Sequence, residues 1–129
     1  MKDAVVITGH ARTPIGDFQG AFANTPAYEL GAIAIEGALK RAQIKSDEID
    51  EVIMGCVLAA GQGQAPARQA ALKAGLAMHT PATTLNKMCG SGMKAIMTGM
   101  DALLSLQAKV IIAGGMENMS LAPYLIPQA

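Results

Sequence analysis

The chain has 129 residues and a mass of 13.3 kDa, with ten basic against ten acidic residues and a pI near 6.7. That length suits one domain around one hydrophobic core, and a formal charge of zero supplies no phosphate-neutralising surface, which excludes a nucleic-acid or anionic-lipid binder. Charged residues make up 16% of the chain, below the roughly 25% usual for globular proteins, so part of the exterior is expected to be covered by a partner chain or by further polypeptide.

Ala4 to Thr8 is a Val/Ile-rich run ending at Gly9, which predicts a first strand buried on both faces. The breaker-rich residues 11 to 24, with Arg12, Pro14, Gly16, Asp17, Gly20 and Asn24, predict a long loop. Thr25 and Pro26 read as N-cap and first helical residue of a helix to about Gln43, with Glu29 in its first turn and Glu36 and Lys40 as an i,i+4 pair. Glu51 to Val57 predicts a second buried strand. Pro66 opens a second helix that runs to a stop at Gly75.

Thr83 to Met88 predicts a third strand, Gly90 to Leu106 a third helix, and Val110 to Gly114 a fourth strand. Met93, Met97 and Met100 fall at helical spacing and are expected to pack in the core. The order β-α-β-α-β-α-β predicts an α/β domain with a mostly parallel sheet and helices on both faces, over residues 1–115. Residues 116–129 form an apolar, proline-interrupted stretch that reads as the start of a loop region at a cut edge.

The longest stretch without Asp, Glu, Lys or Arg, Val52 to Ala67, holds Gly, Gln and Pro and does not read as a membrane span. The N-terminus shows no apolar signal region or transit segment, so the expected location is cytoplasmic. Cys56 and Cys89, without a C-x-x-C pattern, predict neither a disulfide framework nor a metal site.

The chemistry concentrates where the third strand turns into the third helix, at Asn86-Lys-Met-Cys-Gly-Ser-Gly-Met-Lys-Ala95. Cys89 lies at that turn, where free backbone N–H groups and the helix dipole stabilise a thiolate. Gly90 and Gly92 permit the sharp turn and close approach of a carbonyl substrate, and the Cys89 N–H can donate to the oxyanion formed on attack. The pattern suits acyl transfer. Gly90-Ser-Gly-Met-Lys-Ala95 also fits a G-x-G-x-x-A dinucleotide fingerprint, but it follows the third predicted strand rather than the first, and Glu117 is poorly placed as the acidic partner. Cys56, mid-strand, reads as an inert core thiol. His10 and His79 read as structural or loop residues, Lys87 and Lys94 as solvated charges flanking the turn, and Arg12 and Arg68 as holding loops or a subunit interface. Glu117 and Asn118 are placed near the pocket floor without a role.

The chain resembles the thiolase family over its whole length. Val6 to Gly16 is similar to that family's N-terminal strand and A-R-T-P-I-G loop, and Gly61 to Ala71 to its G-x-G-Q-x-P-A-R-Q-A-A segment. Asn86 to Ala95 resembles its nucleophile motif, and Gly114 to Ser120 its G-G-x-E-S-M-S. The similarity is greatest to members that transfer acetyl groups and form acetoacetyl-CoA; degradative 3-ketoacyl-CoA thiolases are the alternative, and ketoacyl synthases share only the fold and the elbow.

The resemblance implies that Cys89 accepts the acyl group, with acetyl-CoA, acetoacetyl-CoA and coenzyme A as substrates or products. It also implies no metal or redox cofactor, and a homo-oligomer, dimeric or tetrameric. The family's histidine in G-H-P and second cysteine in C-x-G-G-G are absent from this sequence, and most of its coenzyme A contacts come from segments outside it. The 129 residues alone are therefore expected to turn over little. The reading from another class is a non-catalytic fragment that only associates with other chains.

Overall fold

The computed structural model describes residues 4–128. Among the described residues six α-helices and strands follow one another: α1 (Ala27–Ala42), β1 (Glu51–Gly55), α2 (Pro66–Lys73), β2 (Ala82–Leu85), α3 (Ser91–Leu104) and β3 (Ile111–Gly115). The sheet is parallel throughout, in the order β2-β1-β3, with Val52 opposite Ala82 and Ile112, and Gly55 opposite Leu85 and Gly115. The central strand needs cover on both sides, and its residues alternate accordingly. Val52 and Met54 join Ile35 of α1 and Ala67, Ala70 and Ala71 of α2 in the main core, whereas Gly55 meets the first turn of α3. Helices therefore lie on both faces.

The sheet is smaller than the sequence predicts. Ala4 to Thr8 joins no ladder, and Val6 and Ile7 are 69% and 80% exposed. The residues that follow dock on a helix instead of a strand edge: Arg41 Nη1 donates to the His10 carbonyl at 2.6 Å, and Gly9 sits against Ala42 of α1. A β-prone segment becomes a strand only when a neighbour accepts its backbone hydrogen bonds. No strand among the described residues does so here.

The helix starts and stops follow local chemistry with small corrections. Pro26, not Thr25, occupies the N-cap of α1; the Thr25 side chain caps nothing, and the Pro26 carbonyl accepts from Glu29 and Leu30. Pro66 is the first residue of α2, as predicted, and the Thr84 hydroxyl of β2 accepts from Ala67 N at 2.9 Å. Glu36 and Lys40 make no ion pair. Glu29 instead pairs with Lys73 at 2.8 Å, joining α1 to α2.

The largest correction concerns α3. Its buried residues are Ser91, Ala95 and Gly99, and the small side chains let it lie close to β1 and β3. Met93, Met97 and Met100, predicted to be core, are 69%, 54% and 49% exposed, and Ile96 and Leu104 are exposed beside them. The helical period holds, but two faces of α3 are apolar and the sheet takes the one with small residues. Among the described residues, no helix is long and apolar enough to cross a membrane.

Candidate active site

The elbow is built from the sheet upward. β1 and β3 both end in glycine, and these two residues are register partners. A Cβ on Gly55 would overlap the Ser91 carbonyl carbon and lie 2.6 Å from Gly92 N, and one on Gly115 would lie 3.1 Å from Gly92 Cα. The first turn of α3 thus rests directly on the carboxyl ends of two strands. Gly92 is closed against Gly115 rather than open to a pyrophosphate, which disposes of the dinucleotide-fingerprint alternative.

Between β2 and α3 the chain reverses in five residues. Met88 takes a left-handed conformation (φ 48°), uncommon for a residue with a Cβ. Asn86 Oδ1 accepts from Met88 N at 2.9 Å. The buried Ser91 hydroxyl accepts from Lys87 N at 2.8 Å and donates to the Met88 carbonyl at 2.6 Å. Backbone bonds from Gly90 N to Lys87 O and from Ser91 N to Met88 O close the turn. Cys89 is at its apex, exposed, immediately before the Gly90 N-cap of α3. Its N–H is not among the hydrogen bonds that hold the turn. The arrangement presents an exposed thiol beside a backbone N–H that the turn does not use, which suits nucleophilic attack on a carbonyl.

A family model for the N-terminal domain of thiolase matches residues 5–129. The chain belongs to the thiolase family. It is similar to an acetyl-CoA acetyltransferase of Cupriavidus necator, at 54% identity over 98% of this chain and 32% of that protein. It is also similar to a mitochondrial acetyl-CoA acetyltransferase of Xenopus tropicalis, at 58% identity over 93% of this chain and 29% of that protein. A crystal structure of a thiolase from Ascaris suum in complex with coenzyme A superposes with a TM-score of 0.93 at 36% identity, covering 95% of this chain and 32% of that one. The chain thus spans about a third of the length of these relatives.

Within this thiolase domain the two cysteines differ sharply. Cys56, just past β1, is 2% exposed; its thiol donates to Glu117 Oε1 at 3.5 Å and accepts from Gln62 Nε2 at 3.3 Å. Burial pushes the Cys56 thiol up from its ordinary value; the Gln62 amide opposes this and the nearby Glu117 carboxylate adds to it. Such a thiol is a poor nucleophile.

Glu117 and Asn118 prove to be braces, a role that sequence reasoning missed. The Glu117 carboxylate accepts from Val57 N at 2.8 Å and Leu58 N at 3.0 Å, tying the exit of β1 to the end of β3. Asn118 Nδ2 donates to the carbonyls of Phe22 and Thr25, and Met116 is buried in the core. Arg68 donates to the carbonyls of Met78 and Thr80, the loop-holding one of its two expected roles.

Neither histidine belongs to the elbow. His10 precedes the loop held against α1, and His79 is exposed in the turn before β2. A cavity of about 380 Å³ lies between residues 11–18 and 115–120, with Arg12, Phe18, Phe22 and Glu117 in its wall, and Cys89 does not line it. The turn faces open surface. Gly55 and Ser91 are the supporting residues that the sequence reading passed over. A glycine inside an apolar strand run signals close backbone approach and could have found the first; nothing in the sequence marks the second.

Proposed function

We propose that this chain forms the acyl-accepting half of a thiolase active site, within an enzyme that transfers acetyl groups between coenzyme A thioesters. The observation that carries the reading is the exposure of Cys89 at a strand-to-helix turn while Cys56 is buried. The names of relatives at 54% and 58% identity support acetyl transfer in particular.

The Cys89 thiolate attacks the carbonyl carbon of acetyl-CoA, and the Cys89 N–H donates to the resulting oxyanion. Collapse breaks the bond to the coenzyme A sulfur, which leaves as thiolate and takes a proton, and the acetyl group stays on Cys89. A second acetyl-CoA, deprotonated at its methyl carbon, attacks that thioester to give acetoacetyl-CoA and regenerates the Cys89 thiolate. Thiolysis is the reverse. This thioester chemistry requires no metal or redox group.

The proton transfers need a base. In this reading, the family's histidine and second cysteine come from polypeptide outside these 129 residues, so the isolated chain turns over little, because removing a base that acts as a unit with its nucleophile abolishes most catalysis.

One observation favours a second reading, in which the 129 residues alone act only by association. The exposed face of α3 and the exposed Tyr124, Leu125 and Ile126 form apolar surface that a stable monomer rarely leaves open. Intact-mass measurement with and without acetyl-CoA, followed by peptide mapping, tests the catalytic reading. A full-length thiolase carrying these residues gains one acetyl group, on Cys89. Absence of acetylation, or acetylation of Cys56, overturns the catalytic reading.

A further inference from the structure

We propose that Ser91 is a positioning residue for Cys89, its hydroxyl clasping the turn across the nucleophile. The inference rests on Cys89 as the acyl acceptor. It concerns a different side chain, buried at 5% exposure.

The geometry is specific. Cys89 is flanked by a left-handed residue, Met88, and by a glycine, Gly90, so its own backbone supplies little restraint. The Ser91 oxygen reaches back over the turn to both residues ahead of Cys89, accepting from Lys87 N and donating to Met88 O. One hydroxyl thereby fixes the peptide planes on which the Cys89 Cα depends.

Ser91 is itself immobilised from below. Gly55 lacks a Cβ, and one there would lie 2.7 Å from Ser91 Cβ, so the serine backbone sits on the end of β1 with no slack. The chain of support runs from the β1 terminus through Ser91 to Met88 and so to the thiol. Asn86 reinforces the same turn from its exposed side, through Met88 N. Removing the Ser91 hydroxyl leaves the Lys87 N–H without its partner and lets the turn relax. A nucleophile displaced by about 1 Å loses on the order of a hundredfold in rate without losing its substrate.

The test follows formation of acetyl-Cys89 under single-turnover conditions in a full-length thiolase carrying these residues. In this step the sulfur–carbonyl bond forms as the bond to the coenzyme A sulfur breaks. Ser91→Ala lowers the rate at saturating acetyl-CoA about a hundredfold, with half-saturation unchanged, and Ser91→Thr, which keeps the hydroxyl, regains most of it. Asn86→Ala, on the exposed side, falls in the same direction by about tenfold.

Ser105→Ala removes a hydroxyl-to-carbonyl bond at the far end of α3 and keeps the full rate. If Ser91→Ala acetylates at the unsubstituted rate, or loses rate only as its folded fraction falls with no recovery in Ser91→Thr, the positioning role is wrong. If Ser91→Ala does not fold, a full rate in Asn86→Ala overturns it. Failure of the unsubstituted protein to acetylate on Cys89 overturns the underlying reading instead, so the two failures are distinct.

Discussion

At the scale of single residues, the elbow stores conformational energy at one position. Met88 is 66% exposed, so its side chain contributes little by burial, while its φ of 48° costs roughly 1–2 kcal/mol for a residue with a Cβ. Glycine adopts that conformation freely but gives up about 0.5–1 kcal/mol through the greater freedom of the unfolded chain. The relief outweighs the loss. Met88→Gly is expected to raise stability by about 0.5–1 kcal/mol, read from the denaturant midpoint, and an unchanged or lower midpoint would show that the turn is not strained there. Cys89 itself was legible from the sequence, because a cysteine between a β-prone run and a helical one, followed by G-S-G, has few other structural uses. Ser91 was not, because a serine in a glycine pair reads as a turn former wherever its hydroxyl points.

Between elements, the seating of α3 depends on absent side chains. A Cβ on Gly55 would run into the Ser91–Gly92 backbone, and backbone cannot rotate aside as a flexible side chain can. Gly55→Ala is therefore expected to destabilise by about 1–3 kcal/mol and to move the turn that carries Cys89. Gly114→Ala is the comparison: its Cβ would meet the Met54 Sδ at 3.4 Å, a thioether with rotamer freedom, and its cost is expected to be smaller. Equal midpoints for the two variants would sink this account of the seat.

The link between β1 and β3 also has a pH dependence. Asp50 accepts backbone hydrogen bonds from Lys109 at 2.7 Å and Val110 at 3.0 Å, which hold its carboxyl below the ordinary value of 3.8. The folded state favours the ionised form, so the contribution is complete above that ordinary value and is lost as pH falls through the lowered folded value. Stability measured against pH is expected to drop on that acid side, and to drop less in Asp50→Asn. A pH profile identical in the two proteins would rule the link out.

For the molecule as a whole, the outstanding feature is what the described residues leave uncovered. Ile96, Met97, Met100 and Leu104 make an apolar stripe along α3, and Val6 and Ile7 are exposed without a strand partner. The 129 residues studied alone are expected to self-associate, as read by light scattering across a concentration series, and Ile96→Lys with Met97→Lys is expected to shift them toward monomer at unchanged helicity. A stable monomer before substitution would contradict this.

The sequence by itself determined the order of the six elements, the α/β class, the start of each element to within a residue or two, and the placement of Cys89 at the turn before α3. These depend on local periodicity, turn chemistry and a short motif, all of which are written in neighbouring residues. Tertiary structure alone decided that Ala4–Thr8 is no strand, that the methionines of α3 face outward, that Glu117 and Asn118 are braces, and that Ser91 clasps the elbow. Each of those depends on which surface or backbone group a distant segment brings into contact, and a side chain's partner is not encoded in its neighbours.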